Sequence, residues 1–175
     1  MYGEHAFGSA FQSAEALHDL VLPTRDKAKS SHRDRVTAVV EALESATLPP
    51  EIVEWASKVL ASRNDKPLAR KVDDLVRSTG AVGEMILDAD PRFGQRAAPA
   101  RAGVSHGGAD EGLNSEQRYW YAHALRWAVR TYLLQEVADD PAAVQKRAAS
   151  RTPFRRVVGK LKDSIDSCGR RGLTL

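Results

Sequence analysis

A run of 24 residues, SEQRYWYAHALRWAVRTYLLQEVA at 115–138, most limits how this chain can fold. It holds no proline or glycine, and apolar residues recur in it every three or four positions. That period is one face of an α-helix and is incompatible with the alternation of a half-buried strand. Tyr119, Ala122, Leu125, Val129, Tyr132 and Leu133 form the expected inward stripe, with Trp120 and Trp127 one heptad apart on a neighbouring face. Two of the three tryptophans and three of the four tyrosines lie here, so this helix is expected to be the spine of the core. Asn114 or Ser115 is the expected cap, and Asp140-Pro141 the stop.

The same period runs through the rest of the chain. Phe7, Phe11, Ala14, Leu17 and Val21 predict a first helix ended by Pro23. Val36, Val39, Val40 and Leu43 predict a second, broken at Pro49-Pro50. Ile52, Val53, Trp55, Ala56, Val59 and Leu60 are expected inward on a third. Leu68, Val72, Leu75 and Val76 mark a fourth. Gly80 and Gly83 punctuate the next stretch, ahead of Met85, Ile86 and Leu87. Residues 92–106 read as helix with Phe93, Ala97, Ala100 and Val104 inward, stopped at Gly107-Gly108. No alternating run bounded by turns suggests a strand. The expected class is all-α, a helical bundle.

Composition narrows the function. One cysteine, Cys168, excludes an internal disulfide framework and a cysteine-based zinc site. The histidines at 5, 18, 32, 106 and 123 fall in no metal-ligand spacing, so neither metal nor cofactor is expected. No stretch of about 18 apolar residues could span a membrane, and the start has no signal-peptide pattern; a cytoplasmic protein is the expectation. The net charge of +3 is unevenly spread. From Gln145 onward nine basic residues face two acidic ones, a net +7, and the remainder carries −4. This divides the chain into a helical domain over 1–144 and a basic C-terminal tail over 145–175, part helical or disordered. A basic tail on a mildly acidic body suits a polyanion such as RNA, or equally a solvated end.

Arg101 and His106, in PARAGVSHGG at 99–108, are separated by four residues. The same spacing recurs at Arg118/His123, and a looser one at Arg25/His32, so spacing alone does not choose among them. Context does. Arg101/His106 closes a helix, precedes a Gly-Gly loop and leads into the long aromatic helix. About a hundred residues earlier stands Glu15-Ala16-Leu17-His18. This order resembles the HEPN superfamily of helical ribonucleases, and within it the ApeA-like branch, over roughly residues 5–138. The resemblance implies a HEPN-like fold and metal-independent RNA cleavage to a 2′,3′-cyclic phosphate. It also implies a homodimer that brings two Arg-His motifs into one cleft, and a setting in toxin–antitoxin systems or antiphage defence. RNA, including tRNA, is the implied partner, with an antitoxin or sensor protein beside it, because ApeA-like proteins carry a larger N-terminal region than this chain has.

The residues suit that chemistry. Cleavage without a metal needs a base for the 2′-OH proton, an acid for the leaving 5′-oxygen and a cation on the phosphate. Histidine serves either proton-transfer role near neutral pH, and arginine offers a planar fork to phosphate oxygens. A histidine at a helix C-terminus feels a field that favours its protonated form, which suits the acid. Positions five apart on a helix lie about 140° apart, so Arg101 and His106 do not stack. Glu15 is the candidate for orienting Arg101 or His106. It shares a helix face with His18, a face that reads as solvated if it lacks this role. Arg118, Arg126, Arg155 and Arg156 are candidate RNA contacts, and Arg130 extends the phosphate track of Arg126. Tyr119 and Trp120 could stack a base but are expected in the core. Ala102 follows Arg101 where the family usually has a polar residue, which leaves open a non-catalytic domain that binds RNA or protein.

Overall fold

The computed structural model describes residues 2–23, 29–46, 48–62, 64–106 and 113–171, and side chains within 5–23, 30–46, 48–61, 64–101 and 113–167. Among them are nine helices and no strand: α1 (Tyr2–Val21), α2 (Lys29–Ser45), α3 (Pro50–Ser62), α4 (Leu68–Arg77), α5 (Ala81–Ala89), α6 (Phe93–His106), α7 (Ser115–Glu136), α8 (Pro141–Ser150) and α9 (Thr152–Arg171). The all-α bundle expected from the periodicity is what the chain forms.

The chain divides into two compact units, Pro23–Pro67 and the rest, Met1–Leu22 with Leu68–Leu175. The smaller unit is a hairpin of α2 and α3. Its apolar residues are not sealed. Val39, Ile52 and Trp55 are exposed, Trp55 by 65%, against the expectation that Ile52 and Trp55 face inward. Two helices offer one seam, too narrow to cover both. Val53, Ala56, Val59 and Leu60 on α3 are only half-buried.

In the larger unit α7 packs against α1, α4, α5, α6, α8 and α9. Asn114 caps it in a reciprocal box. Its Oδ1 accepts from the Gln117 backbone N–H at 2.9 Å, and its own N–H donates to Gln117 Oε1 at 3.0 Å. The buried stripe is Gln117, Arg118, Tyr121, Ala122, Leu125, Ala128 and Tyr132. It is rotated from the expected one, since Tyr119 is 46% and Leu133 51% exposed. The covering helices lie on more than one side of α7, so its buried face combines small alanines that let them approach with Tyr121 and Leu125, and Tyr119 and Leu133 are turned out. Gln117 Nε2 donates to Ser164 O on α9 at 3.0 Å, and Gln135 Nε2 to Ser78 O at 3.0 Å, so both ends of α7 are tied down.

Asp140-Pro141 ends α7, as its sequence signals, but it also starts α8. Asp140 accepts from the Ala143 N–H at 3.0 Å, and Pro141 occupies the first turn, where its missing N–H costs nothing. The segment expected as a basic tail carries most of α8 and all of α9. Phe154 and Leu161 on α9 have no exposure, and Val157 has 7%. Basic residues of α9 such as Arg155, Arg156 and Lys160 face solvent. The tail is thus an amphipathic helix whose charge hides an apolar stripe at 154, 157, 158, 161 and 165.

Candidate functional site

The site is built on α6 and α1, which pack together in the larger unit. The start of α6 is held firmly. Asp90, 1% exposed, accepts from the Arg92 backbone N–H at 3.0 Å and from the Tyr121 hydroxyl, and Arg96 Nε lies 3.6 Å away. Phe93 stacks on Tyr121 with ring centroids 4.7 Å apart. The Gly94 N–H donates to Asp73 on α4 at 2.9 Å. Burial is the main influence on Asp73 and outweighs this bond, so its carboxyl titrates above the usual range. A side chain at Gly94 would run into the Ala69 carbonyl and the Asp73 carboxylate, so glycine lets α4 and α6 meet.

Further along α6, Ala97 and Ala100 are buried and Arg101 emerges at the edge. Arg101 Nη2 lies 3.6 Å from Glu15 Oε2 on α1, with side-chain exposures of 27% and 34%. Two of the three residues expected to act together are therefore adjacent, though 86 positions apart in sequence. His106 is the last residue of α6, and Ala102 lies within it. The side chains of both fall outside the described residues.

His18, one turn after Glu15, has no exposure at all, contrary to a solvated face. Its Nδ1 is 3.2 Å from Asp19 Oδ1 and its Nε2 is 3.8 Å from Asp74 Oδ2 on α4. Lys71 Nζ donates to Asp19 at 2.8 Å, and this bond, helped by His18, pulls the Asp19 carboxyl below its ordinary range. The α1–α4 seam beside Glu15 is thus polar and charged, which a reading of α1 alone had no way to find, since Lys71 and Asp74 lie more than 50 residues on.

The rival motif fails on burial. Arg118, expected as an RNA contact, is 3% exposed, so its guanidinium is withdrawn from any strand outside. Its place on the buried face of α7 follows from the rotated stripe. His123 packs on Tyr119 at 4.3 Å, and burial, then Arg126, lowers its pKa. Arg25 of the Arg25/His32 pair lies outside the described residues. Arg126, Arg155 and Arg156 are exposed as an RNA contact requires, although Arg126 Nη2 also reaches Ala6 O at 3.5 Å. Tyr119 is half exposed, not core, and packs edge-on against Trp120.

A family model described as Apea-like HEPN matches residues 9–139. The chain belongs to the Apea-like HEPN family. The match takes in Glu15, Arg101 and His106 and stops before α8 and α9. Comparisons with curated proteins and with solved structures gave no match. Membership supports a HEPN-type role in binding or cleaving RNA, and the all-α bundle agrees with it. Among the described residues no three His, Cys, Asp or Glu converge as a metal set, and no helix is long and apolar enough to cross a membrane.

Proposed function

We propose that this HEPN protein is a metal-independent endoribonuclease that works as a homodimer, with Arg101 and His106 as catalytic residues and Glu15 as a positioning residue. The observation that carries the reading is the Glu15–Arg101 pair, formed on the helix that ends in His106 in a chain of this family. A half-buried carboxylate at 3.6 Å restricts the guanidinium's rotamers at the edge of α6, where its planar fork suits phosphate oxygens. Positions 101 and 106 lie about 140° apart around α6, so a two-fold pairing of chains is the way to gather both residue types about one phosphate. There, one histidine takes the 2′-OH proton as the 2′-oxygen attacks phosphorus. The other protonates the 5′-oxygen as the P–O5′ bond breaks. The arginines neutralise the charge on the phosphorane. The products are a 2′,3′-cyclic phosphate and a 5′-hydroxyl. A helix C-terminus favours imidazolium, which suits the acid.

Family membership extends the proposal to a cytoplasmic setting in toxin–antitoxin or antiphage defence. RNA such as tRNA is the target, and an antitoxin or sensor protein the partner. The test is cleavage of RNA in EDTA. Wild type is expected to cut and to leave cyclic phosphate ends. Arg101→Ala and His106→Ala are expected to lose at least about a hundredfold, the usual scale of a general acid or a phosphate cation. Glu15→Gln should keep the fold and lose about tenfold, a smaller effect because it acts through Arg101. Cleavage abolished by EDTA, or unchanged in both alanine variants, refutes the mechanism. A second reading, a non-catalytic RNA-binding domain, is favoured by Ala102. It predicts salt-dependent binding without turnover.

A further inference from the structure

The hairpin of α2 and α3 is a unit of its own, and it leaves an apolar face uncovered. Even the residues of its seam, such as Val40, Val53 and Leu60, are only half-buried. Val39, Ile52 and Trp55 are exposed. Ile52, Trp55 and Val59 fall within about 60° of one another around α3, and each is at least about 100° from Glu54. Val39 is about 140° from Glu44 around α2. Glu44 and Glu54 rim a groove on one side of the hairpin, so the apolar residues share the other. His32 Nε2 donates to the Leu60 carbonyl at 3.1 Å and holds the two helices together at the open end. Charge is separated along the length. Near the connection Glu41, Glu44, Glu51 and Glu54 are all exposed, and no basic residue stands between 38 and 57. Toward the open end Arg33, Arg35, Lys58 and Lys66 outnumber Asp34 and Asp65.

We infer that the face carrying Val39, Ile52 and Trp55 is covered by the same face of a second copy of this chain, the two hairpins lying antiparallel in a four-helix bundle. Face-to-face pairing by a two-fold allows two arrangements. An axis along the helices sets glutamates over glutamates and arginines over arginines. An axis across them sets the acidic end of each hairpin over the basic end of the other, and only this arrangement is attractive at both ends. Val39 and Trp55 stand at about the same height above the connection, so one axis brings each of them onto its counterpart. A partner of one charge sign would suit only one end of the hairpin. The area suffices. Helix α2 is about 25 Å long and two helices side by side are about 20 Å wide, so each hairpin offers about 500 Å². Two together bury about 1,000 Å², the threshold of a specific interface. The hairpin lies outside the unit that holds Arg101 and His106, and its contact stands whether or not those residues pair across a dimer.

Cross-linking of the full chain tests the contact, with Cys168→Ser removing the one native thiol. Two α2 helices antiparallel about position 39 bring Val39→Cys within disulfide reach of its counterpart, about 7 Å between Cα atoms. They leave Ala46→Cys about 21 Å from its own. The first should form a covalent dimer on mild oxidation and the second should not. Trp55→Glu, at an exposed position, should weaken self-association about thirtyfold or more in sedimentation equilibrium, with the helical circular dichroism unchanged. Pairing at Arg101 would add a step in mass that this variant leaves in place. Glu41→Lys with Glu44→Lys should weaken the association severalfold at low salt, where charges act across about 30 Å. No change, or tightening because like ends meet, overturns the antiparallel arrangement. Failure of Val39→Cys to cross-link, equal cross-linking at both positions, or an unchanged mass for Trp55→Glu refutes the second copy and leaves the face to a different protein.

Discussion

Tyr121→Phe isolates the bond that fixes the start of the helix bearing Arg101. Tyr121 has no exposure, and its hydroxyl donates to the equally buried Asp90. Phenylalanine keeps the ring and its stacking on Phe93, so only the hydroxyl is lost. The Arg92 N–H and Arg96 remain on the other carboxylate oxygen, so Asp90 is not stranded. A hydrogen bond to a charged acceptor is worth about 1.5–3 kcal/mol. At this chain length each kcal/mol moves the melting temperature by about 2–4 °C, so the expected fall is about 3–12 °C. In an Asp90→Asn background the acceptor is neutral and the same change should cost about 1 kcal/mol less. Burial first, then Asp90, pushes the Tyr121 phenol well above its ordinary value of 10.0. Above that pH the unfolded chain loses this proton while the folded chain keeps it, so stability falls as pH rises. The variant should lose that part of the alkaline slope. Urea unfolding of the four proteins, at neutral pH and above about pH 10, measures all of this. A Tyr121→Phe cost within about 0.5 kcal/mol of zero, or an equal cost in both backgrounds, refutes the reasoning; surface changes typically stay within that margin.

Gly94→Ala should destabilise by about 2–3 kcal/mol, because a methyl group there meets the Ala69 carbonyl, which moves only if α4 and α6 separate; chemical denaturation reads the loss. Lys71→Met removes the bond that lowers Asp19, so the variant should be less stable at neutral pH. Asp19's depressed titration contributes stability above its unfolded value near 3.8, lost as pH falls through the folded one. The two proteins should therefore converge in stability in acid, as thermal melts from neutral pH down to about pH 2 would show.

The helices were legible because period and punctuation agreed. Phe7, Phe11 and Ala14 on α1, Val72, Leu75 and Val76 on α4, and Phe93, Ala97 and Ala100 on α6 are buried as their spacing requires. The face of α7 was not, because a helix packed on several sides has apolar residues all round, and periodicity then gives no direction. Tyr119 and Arg118 exchanged places for that reason, one turned out and the other in. Of α9 only a part was legible, the helical portion expected in the tail; its full length was not, since a dense run of charge masks the apolar stripe threaded through it. At the site, Arg101 was legible from its motif, and its closeness to Glu15 came only through resemblance. The burial of His18 was hidden because its partners Asp74 and Lys71 arrive from another helix.

The larger unit is discontinuous in sequence, with Pro23–Pro67 set between α1 and α4. Helix α1 therefore leaves the ribosome long before α7, the helix against which much of its apolar face closes. With synthesis at about 5–20 residues per second, Phe7 and Phe11 wait about 5–20 s for that surface. Glu15 waits most of the same interval for Arg101. The nascent chain thus passes through a period in which the apolar face of its first helix is uncovered and the Glu15–Arg101 pair has not yet formed.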